Sequence, residues 1–132
     1  MLATGYALKT TTPHAFTEAV EQVRAELKEE GFGILCEIDV QATLKEKLGV
    51  DGDQYVILGA CNPTLAHLAL TMEPDLGVLL PCNVVVYSKE GETHVSAVDA
   101  DRMLSIVENT ALMPIAADVK RRLTAVIARV AR

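Results

Sequence analysis

The chain is short of positive charge, of paired cysteines and of any long unbroken apolar run, and each shortage excludes a class of protein. Its 132 residues carry 12 lysines and arginines against 18 aspartates and glutamates, a formal net charge of −6. Non-specific nucleic-acid binding rests on cations that neutralise phosphates, so no nucleic-acid partner is expected. Basic residues do gather near the end, as Lys120, Arg121, Arg122, Arg129 and Arg132. A solvated face of a last helix accounts for them, because cations are favoured near a helix C-terminus. The cysteines, Cys36, Cys61 and Cys82, are odd in number, and no two are spaced as Cys-x-x-Cys. A zinc ribbon and a thioredoxin-type motif are thereby excluded. Met1 to Gly5 lacks the cationic start of a secretory leader and Lys9 interrupts the first apolar stretch, so reduced thiols and a cytoplasmic location are expected.

The longest uncharged window lies between Asp53 and Glu73 and spans 19 residues, but Asn62-Pro63 divides it beside Gly59. A membrane-spanning helix needs an unbroken hydrogen-bond ladder. The window therefore reads as a buried strand followed by a buried helix, and no membrane partner is expected. The sequence also lacks a phosphate-cradling glycine loop, an internal repeat and a low-complexity linker. Half of it is hydrophobic, enough to bury a sizeable core at this length. Residues 1–132 are read as a single domain.

The apolar pattern gives the elements. Residues 2–10 read as a strand with Leu2, Tyr6 and Leu8 on one face. Thr12-Pro13 supplies an N-cap and a first helical residue, and Phe16, Val20, Val23 and Leu27 make the stripe of an amphipathic helix ended by Gly31. Residues 32–40 read as a strand with Ile34, Cys36, Ile38 and Val40 on one face, which makes Cys36 a small core hydrophobe. A short helix from Gln41 to Leu48 stops at Gly49. Residues 54–60 are nearly all apolar, the mark of a strand covered on both sides. Cys61 closes that strand, Asn62 caps and Pro63 opens a helix through about Thr71, apolar nearly all round. A helix so patterned belongs in a core or under a partner. Residues 82–88 and 92–98 read as a hairpin around Lys89-Glu90-Gly91. Asp99 caps a short helix reaching Val107, and Pro114 starts a last helix with Ile115, Val119, Leu123, Val126, Ile127 and Val130 as its buried stripe. The fold class is α+β, an antiparallel or mixed sheet packed by two long helices.

Chemistry concentrates in two Cys-Asn dipeptides, Cys61-Asn62 and Cys82-Asn83, set 21 positions apart and each joined to a proline. Cys61 stands at a strand end before a helix, where unpaired amides favour a thiolate. One reading makes Cys61, Asn62, Cys82 and Asn83 converge as a small polar pocket in an apolar wall, with His67 on the same helix nearby. The other makes the cysteines packing residues and the asparagines caps and loop ties. Cys61, Cys82 and His67 are ligand types that zinc accepts, but the spacing matches no metal pattern, and no metal or cofactor is assigned.

The stretch Gly59-Ala60-Cys61-Asn62-Pro63-Thr64-Leu65-Ala66, then Gly77-Val78-Leu79-Leu80-Pro81-Cys82-Asn83-Val84-Val85-Val86-Tyr87, and later Val95-Ser96-Ala97-Val98-Asp99, resembles the domain of unknown function 302 family. The resemblance covers nearly the whole chain. It implies a fold similar to the TATA-binding-protein-like class, an antiparallel sheet packed by two long helices, and it implies homodimers. It brings no activity, and a fold name does not import DNA binding. Where the family often has proline after this aspartate, the chain has Ala100. Three functions remain open: a homodimeric domain that holds a small ligand or a sulfur-bearing or redox-active group near Cys61 and Cys82; a structural dimer or interaction module without a ligand; and a thiol-dependent enzyme or metal protein.

Overall fold

A computed structural model describes residues 5–132 and the backbone of Leu2 and Ala3. The strands are β1 (Leu2–Ala3), β2 (Ala7–Thr12), β3 (Gly33–Asp39), β4 (Tyr55–Cys61), β5 (Cys82–Lys89) and β6 (Glu92–Val98). The helices are α1 (Phe16–Glu29), α2 (Val40–Leu48), α3 (Pro63–Met72), α4 (Ala100–Ser105) and α5 (Met113–Val130), with 3-10 turns at Pro74–Leu79 and Thr110–Leu112. The strands form one sheet in the order β1-β2-β6-β5-β4-β3, and every ladder is antiparallel. The α+β class holds, and the mixed-sheet alternative falls away.

Pleat alternation decides which face is covered. Leu8, Leu58, Val84, Val86, Val95 and Ala97 point to one side and are buried with Val20, Val23 and Leu27 of α1 and Leu123, Val126, Ile127 and Val130 of α5. On the other side Tyr55, Tyr87 and His94 stack across three strands, with ring centroids 5.3 and 4.8 Å apart. The β5–β6 hairpin turns at Glu90-Gly91, whose φ values of 52° and 81° match the primed two-residue turn. Helix α1 ends as its glycine demands. Gly31 takes φ 84°, its N–H donates to Lys28 O at 3.0 Å, and Phe32 N–H donates to Leu27 O at 2.9 Å. Asp99 ties the far end together: its Oδ1 accepts from the N–H groups of Asp101 and Arg102, and its Oδ2 lies 3.2 Å from Lys120 Nζ on α5.

Several expectations need correction. The first strand is split by a bend at Gly5-Tyr6, so that β1 folds back on β2 and Tyr6 is 75% exposed; the side chain of Leu2 lies outside the described residues. Thr12 is the last residue of β2 rather than a helix cap. Its Oγ1 accepts from His14 N–H, and α1 starts at Phe16 behind Ala15. Cys36 is exposed, not a core residue. The register shifts between Ile34 and Cys36, leaving Leu35 as the extra residue of a bulge; the alternation inverts there, and Cys36 lands over Gly59 on the face away from α1 and α5. A Cβ on Gly59 would stand 2.5 Å from Cys36 Sγ and 2.8 Å from Pro81 Cγ, so only glycine fits. Strand β4 is covered on one face and half-covered on the other, where Tyr55 and Ile57 keep some exposure. Helix α4 stops at Ser105, short of Val107. Helix α3 buries only Ala69, while Leu68, Leu70 and Met72 are exposed. Among the described residues no helix is long and apolar enough to cross a membrane.

Candidate functional site

The site forms where β4 ends and β5 begins. Cys82 pairs across the ladder with Ala60, so Cys61 is one residue further along the same edge. Asn62 then turns the chain. Its Oδ1 accepts from Leu65 N–H at 3.2 Å, and Pro63 follows in the first helical turn, so α3 departs directly from the strand end. Helix α3 and the segment Leu76–Leu80 pass over that end of the sheet without filling the space beneath. A cavity of about 320 Å³ remains, with α4 and α5 as its other walls. Cys61, Asn62 and Cys82 all lie on its wall. The rest of the lining is apolar, with Phe32 its one aromatic residue, Leu65, Ala66 and Ala69 from α3, Met103 and Leu104 from α4, and Ile115 and Val119 from α5.

The two thiols differ. Cys82 is buried and Cys61 half-buried, and both are free. Burial, and secondarily the neighbouring Cys61, pushes the Cys82 thiol from 9.0 up to about 11. Cys82 is therefore a protonated, weakly polar group at neutral pH and a poor nucleophile.

Two residues expected at the site stand elsewhere. Asn83 is exposed on the opposite face of the sheet, paired with Gly59. The reason is the period of two: with Cys82 pointing inward, the next side chain must point outward. His67 is exposed on α3 and absent from the cavity wall; its carbonyl accepts from Thr71 Oγ1 at 2.8 Å. Ala66 and Ala69, three apart, take the inward face of that helix, and position 67 falls about 100° away from Ala66. Among the described residues no three His, Cys, Asp or Glu side chains gather as a metal ion would need. Nothing local in the sequence points to Leu35 or Met103, which also line the cavity. Leu35 arrives there through the bulge, and Met103 through α4 folding back from the far end of the hairpin. Ile115 and Val119 were legible as a buried stripe, but not as one that ends on a void.

The family model for the domain of unknown function DUF302 matches residues 8–130. The chain belongs to that family. The crystal structure of an uncharacterized conserved DUF302 protein from Bacillus stearothermophilus superposes with a TM-score of 0.88 at 34% identity, covering 94% of this chain and 97% of that one. Comparison with curated proteins gave no match. The DUF302 match takes in β2 through α5, and so every element that walls the cavity.

Proposed function

We propose that this DUF302 chain is a small-molecule-binding domain of the cytoplasm, working as a homodimer, and that its ligand or a sulfur-bearing group sits between α3 and the Cys61–Cys82 edge of the sheet. One observation carries the reading. The chain brings two thiols from separate strands to an apolar cavity of about 320 Å³, within the range of small-ligand sites. The raised pKa of Cys82 favours holding a ligand over attacking one. Any redox role falls to Cys61, which is the more accessible of the pair.

The test uses N-phenyl-1-naphthylamine, an uncharged fluorescent probe. The expected result is saturable one-to-one binding that slows N-ethylmaleimide modification of Cys61 but not of exposed Cys36. Equal slowing at both cysteines, or none at either, would remove the reading.

A second reading has its own observation. Helix α2 buries none of its nine residues, and Leu44, Leu48 and Val50 are exposed, as is Ile38 of the preceding strand β3. A helix this short is marginal without tertiary cover. A second copy of the chain would supply the same surface about a two-fold axis. In this reading the domain is a structural dimer module and the cysteines are packing. Light scattering on wild type and Leu48→Glu decides it: a dimer that becomes a monomer supports the interface, and a wild-type monomer at micromolar concentration ends it.

A further inference from the structure

We propose that the cavity selects neutral, hydrocarbon-rich ligands and rejects ionised ones, so that its natural occupant is an uncharged aliphatic molecule rather than a fatty acid, an amine or a phosphorylated metabolite. The inference rests on the binding reading above and adds the class of ligand to it.

Three observations point the same way. First, among the described residues the wall carries no Asp, Glu, Lys, Arg or His at all. An ionised group brought inside would be desolvated with no counter-charge, which a ligand avoids by staying out or by neutralising. Second, the cations of neighbouring α5 are already engaged. Lys120 faces Asp99, Arg121 and Arg122 share Asp118, Arg122 also donates to the Glu30 carbonyl, and Arg129 holds Glu26 and Glu30. Each of these cations already has an acidic partner, and the net charge of −6 disfavours anions in general.

Third, the polar side chains that do reach the wall are few and uncharged. Asn62 spends its Oδ1 on the α3 amide of Leu65. Cys61 and Cys82 offer S–H groups, which are poor donors and acceptors, and burial keeps Cys82 protonated well past neutral pH. A ligand that demanded several strong hydrogen bonds would find only the neutral Asn62 amide N–H group to replace those it had in water. The rim continues the theme: Leu35 and Leu70 line the cavity and are themselves exposed. A hydrocarbon chain can thus leave the cavity along apolar surface.

The experiment is displacement of N-phenyl-1-naphthylamine at neutral pH by a matched set: hexanol, octanol and decanol, against octanoate and octylammonium. The alcohols are expected to bind about four-fold tighter per added methylene, levelling off once the cavity is full. Octanoate and octylammonium are expected to bind at least roughly ten-fold more weakly than octanol, as stranded charges should. Octanol is also expected to slow maleimide labelling of Cys61 and not of Cys36 in the wild-type protein, and Ala66→Trp, which fills the cavity, is expected to abolish alcohol binding. Should Ala66→Trp fail to fold, the labelling contrast locates the ligand without it. If an ionised member binds as tightly as octanol at this site, the neutral-ligand inference is overturned while the binding reading stands. If the probe and every member of the set fail to bind, the binding reading itself falls. Binding without methylene dependence, or without the Cys61-over-Cys36 contrast, means adsorption to exposed apolar surface and overturns both.

Discussion

Helices α5 and α3 are both rich in aliphatic side chains, yet they end up in opposite circumstances. Helix α5 places its apolar residues on one stripe and buries seven of eighteen, while α3 scatters them around its circumference and buries one of ten. A stripe can be pressed wholly into a sheet; an apolar cylinder can present only one side to it. From Leu123 to Val130 α5 is therefore buried against the sheet and α1, while its first turns, with Ile115 and Val119, wall the cavity. The α3 half keeps a cavity beneath the helix and exposed leucines above it. Apolar content alone does not make a core residue. The periodicity does, and where it fails the fold leaves a cavity.

The sharpest way to test that contrast is a pair of truncations. Leu123→Ala on α5 removes a fully buried side chain and is expected to cost about 3 kcal/mol by urea unfolding. Leu68→Ala on α3 removes a side chain that is 46% exposed and is expected to cost at most about 0.5 kcal/mol. Equal losses would erase the distinction between the halves.

Next in size is a pH effect confined to the cavity. The folded Cys82 thiol titrates at about 11 against 9.0 for an unshifted one. As pH rises the unfolded chain loses this proton first, so the contribution is complete below pH 9 and is lost between pH 9 and about 11, at roughly 1.4 kcal/mol per pH unit. Urea midpoints taken across that window should fall more steeply for wild type than for Cys82→Ala. Parallel curves would mean that the thiol is not in a low-dielectric site.

Smaller effects follow at the two caps. Asp99→Ala, which removes a helix cap and leaves Lys120 without its partner, is expected to cost about 2 kcal/mol. Asn62→Ala, on the looser side, is expected to cost about 1 kcal/mol, with hydrogen exchange accelerating at Leu65 and its neighbours rather than throughout the chain. Protection unchanged in α3 would show that Asn62 does not hold the helix start.

Much of this was legible in the sequence because the signals are local. The stripe of α5, the glycine stop after α1, the Asn62-Pro63 start of α3, the Glu90-Gly91 turn and the Asp99 cap each depend on a few adjacent residues. What escaped depends on pairing between distant strands. The bulge at Leu35 inverts the face of Cys36, yet nothing within β3 announces it, since a bulge exists only relative to a partner. Asn83 and His67 are near the cysteines in sequence only. The pleat of β5 and the turn of α3 send them elsewhere. That Cys61, Asn62 and Cys82 share one end of the sheet was legible because a strand end followed by a capped helix is a local pattern, and a proline directly before a strand is another. The cavity itself needed α4 and α5 to arrive from later in the chain.

The most direct measurement is a crystal of the protein soaked in 8-bromooctanol, with the bromine located by its anomalous signal. The expected result is a single strong peak beneath α3, with the alkyl chain in contact with Cys82 and Ala66. Bromine found only on the exposed surface around Leu44 and Leu48, or no ordered peak at saturating alcohol, would contradict a ligand site at the cysteine edge of the sheet.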